Sequence, residues 1–132
     1  MIHRVIWLKI AFLAGAIMDA ITLIPLLFPL VATIIWGFTN ITGEYLFAMW
    51  FGAALMLGWT LLLVWAYQKP LERRFVAVLT IFVVIGLMSA NVAGFTFQIL
   101  GLMQFATTLA IQCVILALFV IGWIITRNFN NI

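Results

Sequence analysis

The one acidic residue placed to do chemistry is Asp19, in the stretch FLAGAIMDAITLIPLLFP (residues 12–29), which is apolar enough to lie in a lipid bilayer. Its nearest basic residue is Lys9, ten positions away and hence about 15 Å along a helix. That spacing puts Asp19 near the bilayer centre, where an ionised carboxylate costs about 3 kcal/mol on insertion scales and more by other measures. Three arrangements relieve that cost. The side chain can stay protonated, face a water-filled cavity, or hold a cation supplied from outside the chain. Two prolines sharpen the case. Pro25 and Pro29 cannot donate to the carbonyls of Ile21 and Pro25, so two backbone acceptors are freed one to two turns beyond the acid. A broken helix is tolerated at membrane depth where protein or a cavity re-satisfies such groups. Thr22, one turn from Asp19, adds a hydroxyl.

A second polar set lies toward the C-terminus. Gln104, Thr108 and Gln112 recur at steps of four, which aligns them on one helix face, with Thr107 beside them. Asn91 and Gln98 fall in the same half of the preceding apolar segment, and Glu44 stands in an earlier loop. Together these residues suggest a polar crevice with Asp19 near its floor, Gln112 at comparable depth and Glu44 at the mouth. The competing reading is structural, because Gln and Thr in membrane helices commonly hydrogen-bond neighbouring helices for about 0.6 kcal/mol each.

The elements that must position these groups follow from composition. Of the 132 residues, 68% are hydrophobic and 7% charged, too few charges to cover a water-facing surface. Hydrophobic continuity gives four segments long enough to span a bilayer, about 6–36, 45–67, 72–97 and 102–126. The breaks are TNITGE (39–44), QKPLERR (68–74) and QILGL (98–102). The fold class expected is all-α, an integral membrane four-helix bundle forming a single domain over 1–132. The N-terminal apolar run continues to Trp36, about twice a secretory-signal core, so a first spanning helix rather than a cleaved signal is expected.

With four spans, Arg4, Lys9, Lys69, Arg73, Arg74 and Arg127 all fall on one side. By the positive-inside rule both termini should be cytoplasmic. Topology thereby accounts for the basicity, and no nucleic-acid partner is expected. The turn KPLERR should set topology, with Pro70 in a first helical turn and Glu72 favouring its dipole; Arg73 and Arg74 are the alternative headgroup or partner contact. Trp7, Trp36, Tyr45, Trp65, Tyr67 and Trp123 lie near predicted helix ends, as interfacial aromatics do, whereas Trp50 and Trp59 are deeper and need an indole partner or a packing role.

Lipid gives helices no hydrophobic reason to associate, so small residues should mark their contacts. Expected contact faces are Ala11 and Gly15; Ala48 and Gly52, then Ala54 and Gly58; Gly86, Ala90 and Gly94, widened by Ser89 and Ala93; and Ala106 with Ala110. Cys113, the six Met residues and GFTF (94–97) read as packing.

One His, one Cys and the absence of a nucleophile–His–acid set or a phosphate-binding loop argue against an enzyme, a metal site or a cofactor. The function expected is transport or conduction of a small cationic or proton-coupled solute. Its binding residues would be Asp19, Thr22, Asn91, Gln104, Thr108 and Gln112. In span number, size and a first-span acid, the chain resembles the small multidrug resistance transporters, which act as dimers and exchange cations for protons. That family's acid is Glu, and its third span includes a Trp that 72–97 lacks, so no binding residue is carried over. The alternative is a non-catalytic membrane subunit, or a lipid- or hydrophobe-binding module, docking a partner through small-residue faces. Either way the partners expected are the lipid bilayer and a second copy or another membrane protein. The location expected is a prokaryotic cytoplasmic membrane, as a multi-pass protein.

Overall fold

The computed structural model describes residues 2–130. Among them the chain is all-α: α1 (Ile2–Leu27), α2 (Pro29–Trp36), α3 (Gly43–Gln68), α4 (Phe75–Thr96) and α5 (Leu102–Thr126), followed by a 3₁₀ turn at Arg127–Asn130. Four of these helices, α1, α3, α4 and α5, are long and apolar enough to cross a membrane.

The first apolar run is interrupted rather than bent. Pro25 stays inside α1, but Phe28 is extended, with φ −115° and ψ 102°, and α2 starts at Pro29. The cause is local: a proline ring disfavours helical backbone in the residue before it, while its fixed φ and missing N–H suit a first helical position. The apolar run 6–36 is therefore divided between α1, itself long and apolar enough to cross a membrane, and a separate eight-residue helix. Gly37 closes α2 in the left-handed conformation at φ 73°, its N–H reaching the Thr33 carbonyl. Thr42 caps α3 by accepting a hydrogen bond from the Tyr45 N–H at 3.2 Å. At the third break, Gln98 takes a left-handed φ of 60°, and Ile99 and Leu100 return their N–H groups to the Gly94 carbonyl.

α1 is the central helix, packed on both α3 and α5; α4 rests on α5 and touches α3 only slightly. The buried core gathers at the end of the bundle that holds both termini. It comprises Leu8, Ala11, Phe12 and Ala16 of α1, Leu63 and Ala66 of α3, Val76 and Ala77 of α4, and Phe119 of α5. Phe12 and Phe119 meet edge to face, centroids 5.9 Å apart. Two glycines allow the helices this close. A Cβ at Gly15 would stand 2.9 Å from Phe119 Cζ and 3.1 Å from Leu63 Cδ1, and one at Gly122 would stand 3.3 Å from the Leu8 Cα.

Several expected contact faces turn outward. Gly86, Ser89, Ala90 and Ala93 are exposed, and a Cβ at Gly86 would meet nothing; Gly94 touches only Leu100 of its own following turn. Ala48, Ala54, Gly58, Ala106 and Ala110 are exposed as well, while Ala53 carries the inward role on α3. The reason is that α4 buries the face bearing Val76, Ala77, Thr80, Val84 and Asn91, and the Gly86–Ala90 face lies on its far side. Cys113, expected in the core, is exposed.

The second turn also differs from expectation. Pro70 precedes α4 rather than opening it, and Glu72 pairs with Lys69 at 3.2 Å. Arg73 stacks on the Trp65 ring, 3.7 Å from its centroid, and donates to the Trp65 carbonyl. Arg74 donates to the carbonyls of Thr126 at 3.2 Å and Arg127 at 3.4 Å, tying the last turn of α5 to the start of α4.

Candidate functional site

Asp19 continues the interior face of α1. Leu8, Phe12, Gly15 and Asp19 follow one another at steps of four, three and four, so they share one side of the helix. Its neighbours along that face are fixed by two contacts to α3. Gly15 lies against Leu63 below it, and Leu26 lies against Gly52 above it. Because α1 and α3 run antiparallel, one turn forward from Gly15 corresponds to one turn back from Leu63. Asp19 therefore sits level with Trp59 on α3, and by the same reasoning from the Gly15–Phe119 contact, level with Ile115 on α5. The acid stands one turn beyond the closed layer of Phe12, Gly15, Leu63 and Phe119, where the core gives way.

Asp19 is half-buried and, among the described residues, has no hydrogen-bond or ion-pair partner. Thr22 does not serve it: its hydroxyl donates back to the Met18 carbonyl of its own helix at 2.8 Å. Trp59 finds the indole partner its depth requires. Its Nε1–H donates to Thr80 Oγ1 at 3.3 Å, and the Thr80 hydroxyl donates to the Val76 carbonyl at 2.7 Å. This short chain bridges α3 to α4 at the level of the acid. Sequence reasoning misses Thr80; its one readable signal is a hydroxyl in an otherwise apolar run, at helical spacing from the core positions Val76 and Val84. Trp50, the other deep indole, is exposed on the outer side of α3.

The second polar set is only partly assembled. Asn91, buried on α4, donates through Nδ2 to the Phe105 carbonyl at 3.3 Å and approaches Gln112 Oε1 at 3.5 Å. Phe95 and Phe105 stack beside it, centroids 4.5 Å apart. This arrangement clamps α4 to α5. Gln104 is drawn elsewhere, with Nε2 beside Gly37 at the end of α2 and Oε1 folded against Gly101. Thr108 is half-buried without a hydrogen bond among the described residues, Thr107 is exposed, and Gln98 lies exposed in its turn. The six predicted site residues thus do not form one hydrogen-bonded cluster. Asn91 and Gln112 meet, Thr22 and Gln104 turn to their own surroundings, and Asp19 bonds to none of the others.

A groove of about 500 Å³ between α1 and α5 is lined by Ala14, Ile17, Met18, Ala110, Val114 and Leu118 among others. It is apolar and includes none of the predicted site residues, although Met18 borders Asp19 in sequence. At the opposite end of the bundle from the core, the Tyr45 hydroxyl is buried without a partner among the described residues, its ring set edge-on against Phe38 at 5.8 Å. Chemically, a half-buried carboxyl with no hydrogen-bond or ion-pair partner among the described residues can accept a proton or associate with a cation. No family model, curated protein or solved structure matches the chain.

Proposed function

We propose that the protein is a small membrane transporter or channel in which Asp19 binds a cationic solute or a coupled proton. One observation carries the reading: a carboxyl on the interior face of the central helix, sheltered by its own bundle, with no partner among the described residues. Ionisable residues placed this way inside membrane segments mark ion or proton routes. In this reading the end bearing Arg4, Lys9, Lys69, Arg73, Arg74 and Arg127 is cytoplasmic, the solute enters from the opposite end, and two copies combine to enclose the path. The membrane is a prokaryotic cytoplasmic membrane, and no catalytic step is involved.

The test is Asp19→Asn in proteoliposomes, with a pH-sensitive dye inside. The substitution keeps the side chain's size and removes its titration. Wild-type protein should move protons when a permeant cation gradient is imposed, and the variant, folded to the same helicity, should not. Equal proton flux in both would remove Asp19 from the route.

A second reading is favoured by the outward turn of the small residues. Gly58 on α3 and Gly86 with Ala90 on α4 form smooth exposed faces, as expected of a non-catalytic subunit that docks a membrane partner. Under that reading Asp19→Asn leaves vesicles unchanged, and enlarging Gly86 to Leu disrupts assembly.

A further inference from the structure

We propose that the turn joining α3 to α4, together with the first third of α1, forms a binding site for the headgroup of one anionic phospholipid. A cavity of about 270 Å³ opens there, lined by Val5 and Lys9 of α1 and by Gln68, Lys69, Pro70, Leu71 and Glu72. Its walls are divided by chemistry. Lys9, Gln68 and Lys69 supply donors, while Val5, Pro70 and Leu71 supply an apolar flank of the kind that accepts a glycerol backbone and the first acyl carbons.

Charge selects the ligand. Arg73 and Arg74, which the sequence offers as headgroup contacts, are both engaged within the chain, one on Trp65 and the other on the end of α5. Lys69 is paired with Glu72. Lys9 is different: it is half-buried, it borders the cavity, its ammonium lies 5.5 Å from the centroid of the Tyr67 ring, and it has no carboxylate partner among the described residues. Two lysines against one glutamate leave the cavity one positive charge, which a single phosphodiester neutralises. Tyr67 and Trp65, in the last turn of α3, place the cavity at the interfacial level where headgroups lie. A soluble partner would have to displace lipid from Val5 and Leu71 to reach Lys9, whereas a phospholipid brings its own apolar portion to that flank.

The experiment is native mass spectrometry of the whole chain released from detergent after equilibration with phosphatidylglycerol, phosphatidylcholine or inorganic phosphate. The wild type should retain one phosphatidylglycerol in preference to phosphatidylcholine, and should hold no inorganic phosphate at the same concentration. Lys9→Gln should lower phosphatidylglycerol retention about fivefold, the factor given by roughly 1 kcal/mol per basic residue near an anionic headgroup. Lys9→Arg should keep it, and Arg127→Gln, which does not line the cavity, should leave it unchanged. Helicity by circular dichroism checks each variant's fold. If Lys9→Gln fails to fold, Lys69→Gln in the exposed turn is read in its place, with the same or a larger loss because Glu72 then faces the phosphate unpaired. Equal retention of the two lipids, undiminished retention in the folded charge-removal variant, or retention of inorganic phosphate in place of the lipid would each overturn the assignment.

Discussion

Adding one methyl group at Gly15 tests the packing that holds Asp19 in place. Ala there would bring its Cβ within 2.9 Å of Phe119 Cζ, 3.0 Å of Phe119 Cε2 and 3.1 Å of Leu63 Cδ1. Phe119 and Leu63 are both fully buried, and Phe119 is braced edge-on against Phe12, so neither has free space to retreat into. Overpacking of this kind costs about 1–3 kcal/mol. Replacing Gly by Ala within a helix also gains up to about 1 kcal/mol from backbone entropy, which partly offsets the clash. Gly86→Ala isolates that gain, because a Cβ at Gly86 meets nothing. The quantity to measure is thus the difference between the two variants, expected to be about 1–3 kcal/mol with Gly15→Ala the less stable. Reversible unfolding in mixed micelles of increasing denaturing detergent, followed by far-ultraviolet circular dichroism, gives both values under one condition. If Gly15→Ala proves as stable as Gly86→Ala, α1 does not approach α3 and α5 this closely, and the placement of Asp19 one turn above a sealed layer is wrong.

Other outcomes follow from the same contacts. Asn91→Leu removes the donor that joins α4 to the Phe105 carbonyl and should cost about 0.6 kcal/mol, the average for such bonds in membranes, in the same unfolding assay; no change would mean the clamp contributes nothing. Pro29→Ala releases the constraint on Phe28, so the Phe28 carbon chemical shifts should move from extended toward helical values; unmoved shifts would show that packing around Ala32, not the proline, sets the break. Arg74→Gln should speed amide exchange in the last turn of α5, whose Thr126 and Arg127 carbonyls lose their donor; equal exchange would show the latch to be idle.

Much of the far end of the protein is readable only after folding. Gln104, Thr108 and Gln112 share a helix face in sequence, yet only Gln112 meets Asn91, because Gln104 lies two turns nearer the start of α5, beside Gly37 and Gly101. The depth of Trp59 announces a need for a partner, but which hydroxyl meets it depends on how α3 crosses α4. Asp19 itself is legible as an acid out of place. Its inward direction is not, since nothing local distinguishes one side of an apolar helix from another.

Chain order is enough to specify the four apolar helices, the turns between them and the gathering of basic residues at one end. These are properties summed along the chain: about twenty apolar residues satisfy lipid whatever lies beside them, and Pro, Gly and charged residues end the run locally. The break at Phe28 belongs to the same class, because Pro29 constrains its immediate neighbour. Which small residues face inward is settled only when the helices pack. Gly15 and Gly122 seat Phe119 and Leu8, whereas Gly58 and Gly86 look outward. The physical reason is that these helices are largely apolar all round, so polarity does little to aim them; facing is chosen by shape, where a missing Cβ on one helix meets a bulky side chain on another.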